Sequence, residues 1–157
     1  MKAHAIDHGF LVRLDKGEEI ISSLVDFCAK EKILFASVSG IGAVGKAKLA
    51  VFDTKKKEYL EREFAGDFEI VSLSGNVTIA QGKVKPHLHV CIAGNDSQIE
   101  TQFGNSPSNI SDGVHFLAHA GHLVFAEVSV TCEIILNVSE GRIERKKDTE
   151  TGLMLID

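Results

Sequence analysis

DFEIVSLSGNVTIA, residues 67–80, and KPHLHV, residues 85–90, decide how this chain folds. In the first stretch Val71, Leu73, Val77 and Ile79 recur at the two-residue period of a strand and share one face. Gly75 interrupts the run and marks a bulge or a place where something packs close. The second stretch continues as HLHVCIAG, residues 87–94. Its alternation projects His87 and His89 from one face and Leu88, Val90 and Ile92 from the other. Two apolar strands with a short polar connection are the start of an antiparallel sheet.

Working outward, HGFLVRL (8–14) reads as a first strand and DKGEEIISSLVDFCAKEK (15–32) as the main helix. Ile20, Leu24, Phe27 and Cys28 form its apolar stripe, with Ile21 and Val25 beside them. Glu18 and Glu19 fall in its first turn and Lys30 and Lys32 at its end, both suited to the helix dipole. ILFASVSGIGAVGKAKLAVFD (33–53) reads as two β-rich runs joined by a tight bend at Gly40, Gly42 and Gly45. KKKEYLEREF (55–64) reads as a hairpin tip and an exposed strand. The polar stretch from about 95 to 119 reads as a long loop. GHLVFAEVSVTCEIILNV (121–138) is two strands or one long bent one. The tail holds a last strand near Arg142–Arg145, and Leu153–Ile156 is placed to dock on the body or on a neighbour. One helix and seven or eight strands predict an α+β fold, a largely antiparallel sheet with the helix packed on it. A single domain is expected over 1–157, with its core at about 8–145 and a tail at 146–157.

Several function classes are disfavoured. A net charge of −5 is a poor basis for nonspecific DNA binding, which needs Lys and Arg to neutralise phosphates. The short basic clusters, Lys55–Lys57 with Lys46 and Lys48, and Arg142–Lys147, are interleaved with acids. GIGAVG matches GxGxxG in letters, but a strand-like run follows it, so the helix that would hold a pyrophosphate is missing. Cys28, Cys91 and Cys132 are widely spaced in apolar runs and read as reduced, mostly buried thiols. No apolar run approaches a membrane span, and MKAHAIDHGF lacks the apolar core of a signal peptide. A cytoplasmic protein is expected.

The chemistry therefore rests on histidine. His87 and His89 on one strand face can grip one metal ion, and His122, opening an apolar strand after Ala120-Gly121, is the best third ligand. Three neutral imidazoles with open positions describe a reactive site rather than a closed structural one. Zinc is the first choice of ion; nickel, iron, manganese and cobalt also accept imidazole. The bland alternative is a pair of histidines hydrogen-bonded within a sheet. A competing trio is His115, His119 and His122 at helical spacing, although His115 and His119 read as loop or rim residues, and His4 and His8 as exposed. A cupin, which also uses HxH, fits less well: the next acids, Asp96 and Glu100, fall in or beside the polar loop.

The order RLDKGEEIISSLVDFCAKEKI, SVSGIGAV, EYLEREFAGDFEIVSLSGNV, HLHV and GHL before a long apolar strand resembles the PPC (plants and prokaryotes conserved) domain family over residues 10–138. In plants this domain accompanies AT-hook motifs; in prokaryotes it usually stands alone. The resemblance implies an α+β homotrimer with metal ligands at His87, His89 and His122, although Ala120 stands where the family has a first glycine. It further implies a regulatory or DNA-associated interaction module with a protein partner or small-molecule ligand. This chain has no Arg-Gly-Arg-Pro-like hook, which leaves direct DNA binding doubtful. The alternative function is a metal-dependent small-molecule enzyme. No catalytic residue is assigned, but Asp67, Glu69, Glu127 and Glu133 are candidate bases and Arg13 a candidate anion partner. Glu127 and Glu133 have the opposite parity to His122 and point away from it on an unbroken strand.

Overall fold

A computed structural model describes residues 1–95 and 116–157. Within them the order is β1 (Lys2–Ile6), β2 (Gly9–Asp15), α1 (Ile20–Lys30), β3 (Ala36–Asp53), β4 (Glu58–Ala80), β5 (Lys83–Asn95), β6 (Phe116–Val138), β7 (Glu144–Lys147) and β8 (Met154–Ile156). The strands pair in the order β1-β2-β6-β3-β4-β7-β8, and β5 pairs with both β4 and β6. Those pairings close β3, β4, β5 and β6 into a circuit, so none of the four long strands is an edge. Every ladder is antiparallel except a short β4–β7 contact at Ile79–Glu144 and Ala80–Arg145. The fold is the expected α+β sheet with one helix.

The helix forms where the apolar stripe predicts it and buries Ile20, Leu24, Phe27 and Cys28. Its start differs from the sequence reading. Glu18 and Glu19 precede the helix, and Glu19 is the N-cap, its carboxylate accepting from the Ile21 and Ser22 amides at 2.9 and 2.6 Å. Those amides have no partner within the helix, which makes a carboxylate there doubly favourable. The same side chain accepts from the Ala126 amide at 3.2 Å and so ties the helix to β6. Under the helix lie Val12 and Leu14 of β2, Leu88, Val90 and Ile92 of β5, and Ile134 and Leu136 of β6, all buried in one core. Phe10 packs edge-on against Phe27 at 5.1 Å.

Elsewhere the strands are longer than their sequence patterns suggest, because bulges let one strand change faces without ending. GIGAVG is not a bend between two strands: β3 runs unbroken through it, with register shifts at Gly40/Gly42 and Val44/Lys46. EYLEREF and DFEIVSLSGNVTIA are likewise one strand, β4. A shift between Ile70 and Ser72 turns Val71 out to 58% exposure, while Ile70, Leu73, Val77 and Ile79 stay buried. Val71 therefore does not share the face expected of it. β1 escaped the sequence reading because all five residues are exposed and show no burial period. Residues 116–119, read as loop, already belong to β6. The tail docks on its own chain: β7 joins β4 and β8 pairs with β7.

The three cysteines are free, Cys28 and Cys132 buried and Cys91 half-buried. Burial pushes both buried thiols up to about 12, which suits inert core residues.

Gly75 shows how tightly β4 and β5 approach. A Cβ there would fall 2.0 Å from the His87 carbonyl oxygen, and its φ of +155° disfavours an L side chain. Gly75→Ala is expected to lose about 1–3 kcal/mol or more of stability through overpacking, read as a lowered urea midpoint at unchanged slope.

Candidate metal centre

In the β5–β6 ladder His89 stands directly opposite His122, and His87 lies two residues along β5 on the same face. The register is set by close backbone contacts on both sides. Gly75 seats the His87–Leu88 segment on β4. On the other side a Cβ at Gly121 would meet the Ala50 carbonyl oxygen of β3 at 2.9 Å. The small residue before His122 thus lets three backbones converge.

The side chains follow. Ring centroids are 5.4 Å apart for His87–His89, 5.0 Å for His87–His122 and 5.6 Å for His89–His122. One nitrogen from each imidazole lies within 4.8 Å of the others. Ligand bonds from imidazole to zinc are about 2.0–2.1 Å, so modest side-chain rotation suffices for all three to reach one ion. Nδ1 of His122 is buried without a hydrogen-bond partner, a costly state that ligation would relieve. The donor set and this orphaned atom both fit a divalent metal.

Charge favours the ligating form. Burial, then the Arg145 guanidinium and the other two imidazoles, push His87 down to about 4. Burial lowers His122 as well, helped by His89, Lys85 and Arg145. Both rings are neutral near pH 7, with a lone pair to give.

Three further residues complete the surroundings. Tyr59 of β4 stacks on His122 at 5.3 Å. Arg145 of β7 is 6% exposed and donates to Thr78 Oγ1 at 3.0 Å, Asn76 Oδ1 at 2.9 Å and the Met154 carbonyl at 3.1 Å. Asn76 pairs with His87 in the β4–β5 register, so this bond ties the guanidinium to the strand beside the ligand strand. With Lys85 and the β8 segment they line a cavity of about 260 Å³ that His87 and His122 enter. Sequence reasoning missed Tyr59 and Arg145. The tyrosine sits in a charged hairpin, and ERKK looks like a solvated strand; the only available hint was that Tyr59 is the single tyrosine of the chain.

The other sequence candidates lie elsewhere. His119 is three residues from His122 on one strand, which sends it to the opposite face; its ring is tilted against Phe64 at 4.5 Å. The helical trio with His115 is therefore replaced by strand, and His115, Asp96 and Glu100 fall outside the described residues. Glu127 sits 4.0 Å from Lys46, and Glu133 pairs with Arg13 across β2 and with Ile41 across β3. Asp67 and Glu69 lie beyond the β4 bulge, Glu69 near Glu133. Arg13 binds Asp15 at 2.8 Å. Among the described residues the imidazole cluster includes no carboxylate.

A closed antiparallel sheet with one helix and a group of three imidazoles on the face of β5 turned away from the core defines an α+β domain with a candidate metal centre. The model of the Plants and Prokaryotes Conserved (PCC) domain matches residues 1–101, and the chain belongs to that family. Solved structures agree. A metal-containing protein of Archaeoglobus fulgidus is 34% identical, with a TM-score of 0.77 over 97% of this chain and 94% of its own. A plant- and prokaryote-conserved (PPC) protein of Pyrococcus horikoshii is 32% identical, with a TM-score of 0.76 over 99% of this chain and 93% of its own. A candidate DNA-binding protein of Bacteroides thetaiotaomicron is 28% identical, with a TM-score of 0.83 over 99% and 96%. No curated protein matches the chain. Among the described residues, no helix is long and apolar enough to cross a membrane.

The lowered histidines give a pH signature in metal-free protein. Unfolded His87 takes its proton near 6.5, whereas folded His87 resists it until about 4. Between those values the unfolded state holds more protons, so stability falls as pH drops from about 6.5 toward 4. His122 acts in the same direction. Urea midpoints measured from pH 7.5 to 4.5 are expected to fall less steeply in His87→Gln than in the unsubstituted protein.

Proposed function

We propose that this chain is a homotrimeric metal-binding PPC domain that holds one divalent ion through His87, His89 and His122 and serves as a cytoplasmic interaction module in regulation. The observation that carries the metal reading is the convergence of three imidazole nitrogens within 4.8 Å. Three protein ligands leave at least one coordination position open, and the adjoining cavity is where a ligand would reach it. Zinc is the first choice, since a neutral three-nitrogen set suits it. The metal-containing Archaeoglobus relative supports a metal here without naming it.

An interaction role suits the site better than an enzyme. Asp67, Glu69, Glu127 and Glu133 stand apart from the cluster, so the described residues supply no carboxylate base beside the ion. Direct DNA binding is also disfavoured. Lys48 is engaged by Glu63 at 2.9 Å and Glu61 at 3.5 Å, Arg142 and Lys146 pair with Glu144 and Asp157, and Arg145 is buried.

Self-association is supported by apolar side chains left in water. Ile41, Val71 and Val130 are 59%, 58% and 70% exposed on the adjacent strands β3, β4 and β6, all at the bulged level of the sheet. Clustered exposure of this kind marks an interface more often than chance scatter.

Two measurements test this reading. Elemental analysis of protein purified without a metal-affinity tag should find about one divalent ion per chain, lost when His87, His89 and His122 are all replaced by alanine; metal retained in that variant refutes the site. Analytical ultracentrifugation should give three times the 17.0 kDa chain mass, shifted toward monomer by Val71→Asp with Val130→Asp. A native protein sedimenting as a monomer removes the trimer.

A further inference from the structure

The cavity beside the histidines is unusual in its charge. Arg145 is almost fully buried, yet its three hydrogen bonds go to neutral oxygens: a hydroxyl, a side-chain amide and a backbone carbonyl. A buried guanidinium ordinarily has a carboxylate partner, because an uncompensated charge in a low-dielectric setting is strongly destabilising. Among the described residues none pairs with Arg145, and none lines the cavity. Lys85 stands at the same cavity, likewise without an acidic partner there, and both cations act on His87 and His122. Two of the five guanidinium N–H groups remain available. A divalent ion on the histidines would raise the local charge further, from two positive side chains to four positive charges. Such a site is completed by an anion.

The remaining walls are apolar. Tyr59, Leu153 and Leu155 face the space, and Met154 is anchored to Arg145 through its carbonyl. An inorganic anion would leave those walls wet; a carboxylate with a small hydrocarbon body would cover them.

We propose that this cavity binds a small organic acid, its carboxylate held by Arg145 and Lys85 beside the metal and its apolar body against Tyr59 and the Leu153–Leu155 segment. The part played by the ion rests on the three-histidine reading above; the two cationic side chains stand independently of it. A carboxylate is planar and accepts two parallel bonds, which is the geometry a guanidinium offers. At about 260 Å³ the space admits a compact acid of a few carbons or one ring rather than a nucleotide.

Isothermal titration calorimetry with acetate, butyrate and benzoate tests this, with benzyl alcohol as the neutral counterpart and inorganic phosphate as the competing oxyanion. Metal content is measured on the same samples. At least one acid should bind about tenfold or more tighter than benzyl alcohol. Lys85→Gln, an exposed and structurally mild change, should weaken it about three- to tenfold, and Arg145→Gln more, each corresponding to loss of a charge-assisted hydrogen bond. The proposal is overturned if no acid exceeds benzyl alcohol, if phosphate binds tighter than every acid, or if Lys85→Gln leaves the affinity unchanged; the last readout does not depend on Arg145→Gln folding. Failure of the metal reading is separately visible. Protein with no metal that still binds acid in a Lys85-dependent way keeps the anion site and loses the ion, whereas metal-loaded protein that ignores every acid loses only the anion site.

Discussion

Everything in this molecule turns on one ladder, the pairing of β5 with β6 that sets His89 opposite His122. Strand side chains alternate with a period of two, so slipping this register by one residue would exchange the faces of the whole strand. Leu88, Val90 and Ile92 would leave the core beneath α1, and His87 and His89 would enter it. The choice that buries three aliphatic side chains is thus the same choice that gathers three imidazoles. Burying each aliphatic side chain is worth roughly 1.5–3 kcal/mol, so core formation enforces the site geometry before any ion arrives. Gly75 and Gly121 serve the same end from either side, since each allows a neighbouring strand to come closer than a Cβ would permit.

How much of this was legible in the sequence follows from which signals are local. The helix stripe, the alternation in HLHV and the Ala-Gly-His run ahead of the apolar part of β6 are short-range patterns, and they located both the α+β fold and the three histidines. What stayed hidden depended on register between distant segments. Val71 looked like its neighbours Leu73 and Val77 because a bulge leaves no mark in a hydrophobicity pattern. β3 and β4 looked like four separate strands for the same reason. Tyr59 and Arg145 lie 63 and 23 positions from His122, on elements whose composition reads as solvent-facing, and only tertiary pairing brings them to it. Glu19 illustrates a milder failure: its position near the helix start was legible, but its carboxylate's turn back onto the Ile21 and Ser22 amides as the cap, and its tie to the Ala126 amide of β6, were not.

The electrostatic design follows from the fold. Burial keeps His87 and His122 unprotonated, and Arg145 reinforces this at His87 by adding a positive charge nearby. The same charge opposes a metal ion, so Arg145 is not there to strengthen cation binding. A structural zinc site is normally surrounded by groups that accept from its ligands and neutralise the ion. Here the neighbouring side chains are a guanidinium, an ammonium and an aromatic ring. That environment would make a cation held by the histidines a stronger acceptor of external anions, which is a property of binding sites rather than of structural ones.

The site is also divided between parts of unequal firmness. The histidines stand on two strands of the closed circuit, each paired on both sides and backed by core residues with no exposure, Leu88 among them. The opposite wall is β8, three residues at the end of the sheet, joined to β7 alone and fixed inward by one hydrogen bond from Arg145 to the Met154 carbonyl. Local opening free energies track such differences in pairing and burial. The ligand-holding half is therefore rigid, while the apolar wall can part from it without disturbing the core. Arg145 links the two, touching β4 through Thr78 and Asn76 and β8 through Met154. An anion that drew the guanidinium toward the ion would pull on the contact that holds the wall in place, so occupancy of the cavity and position of the tail are coupled through a single side chain.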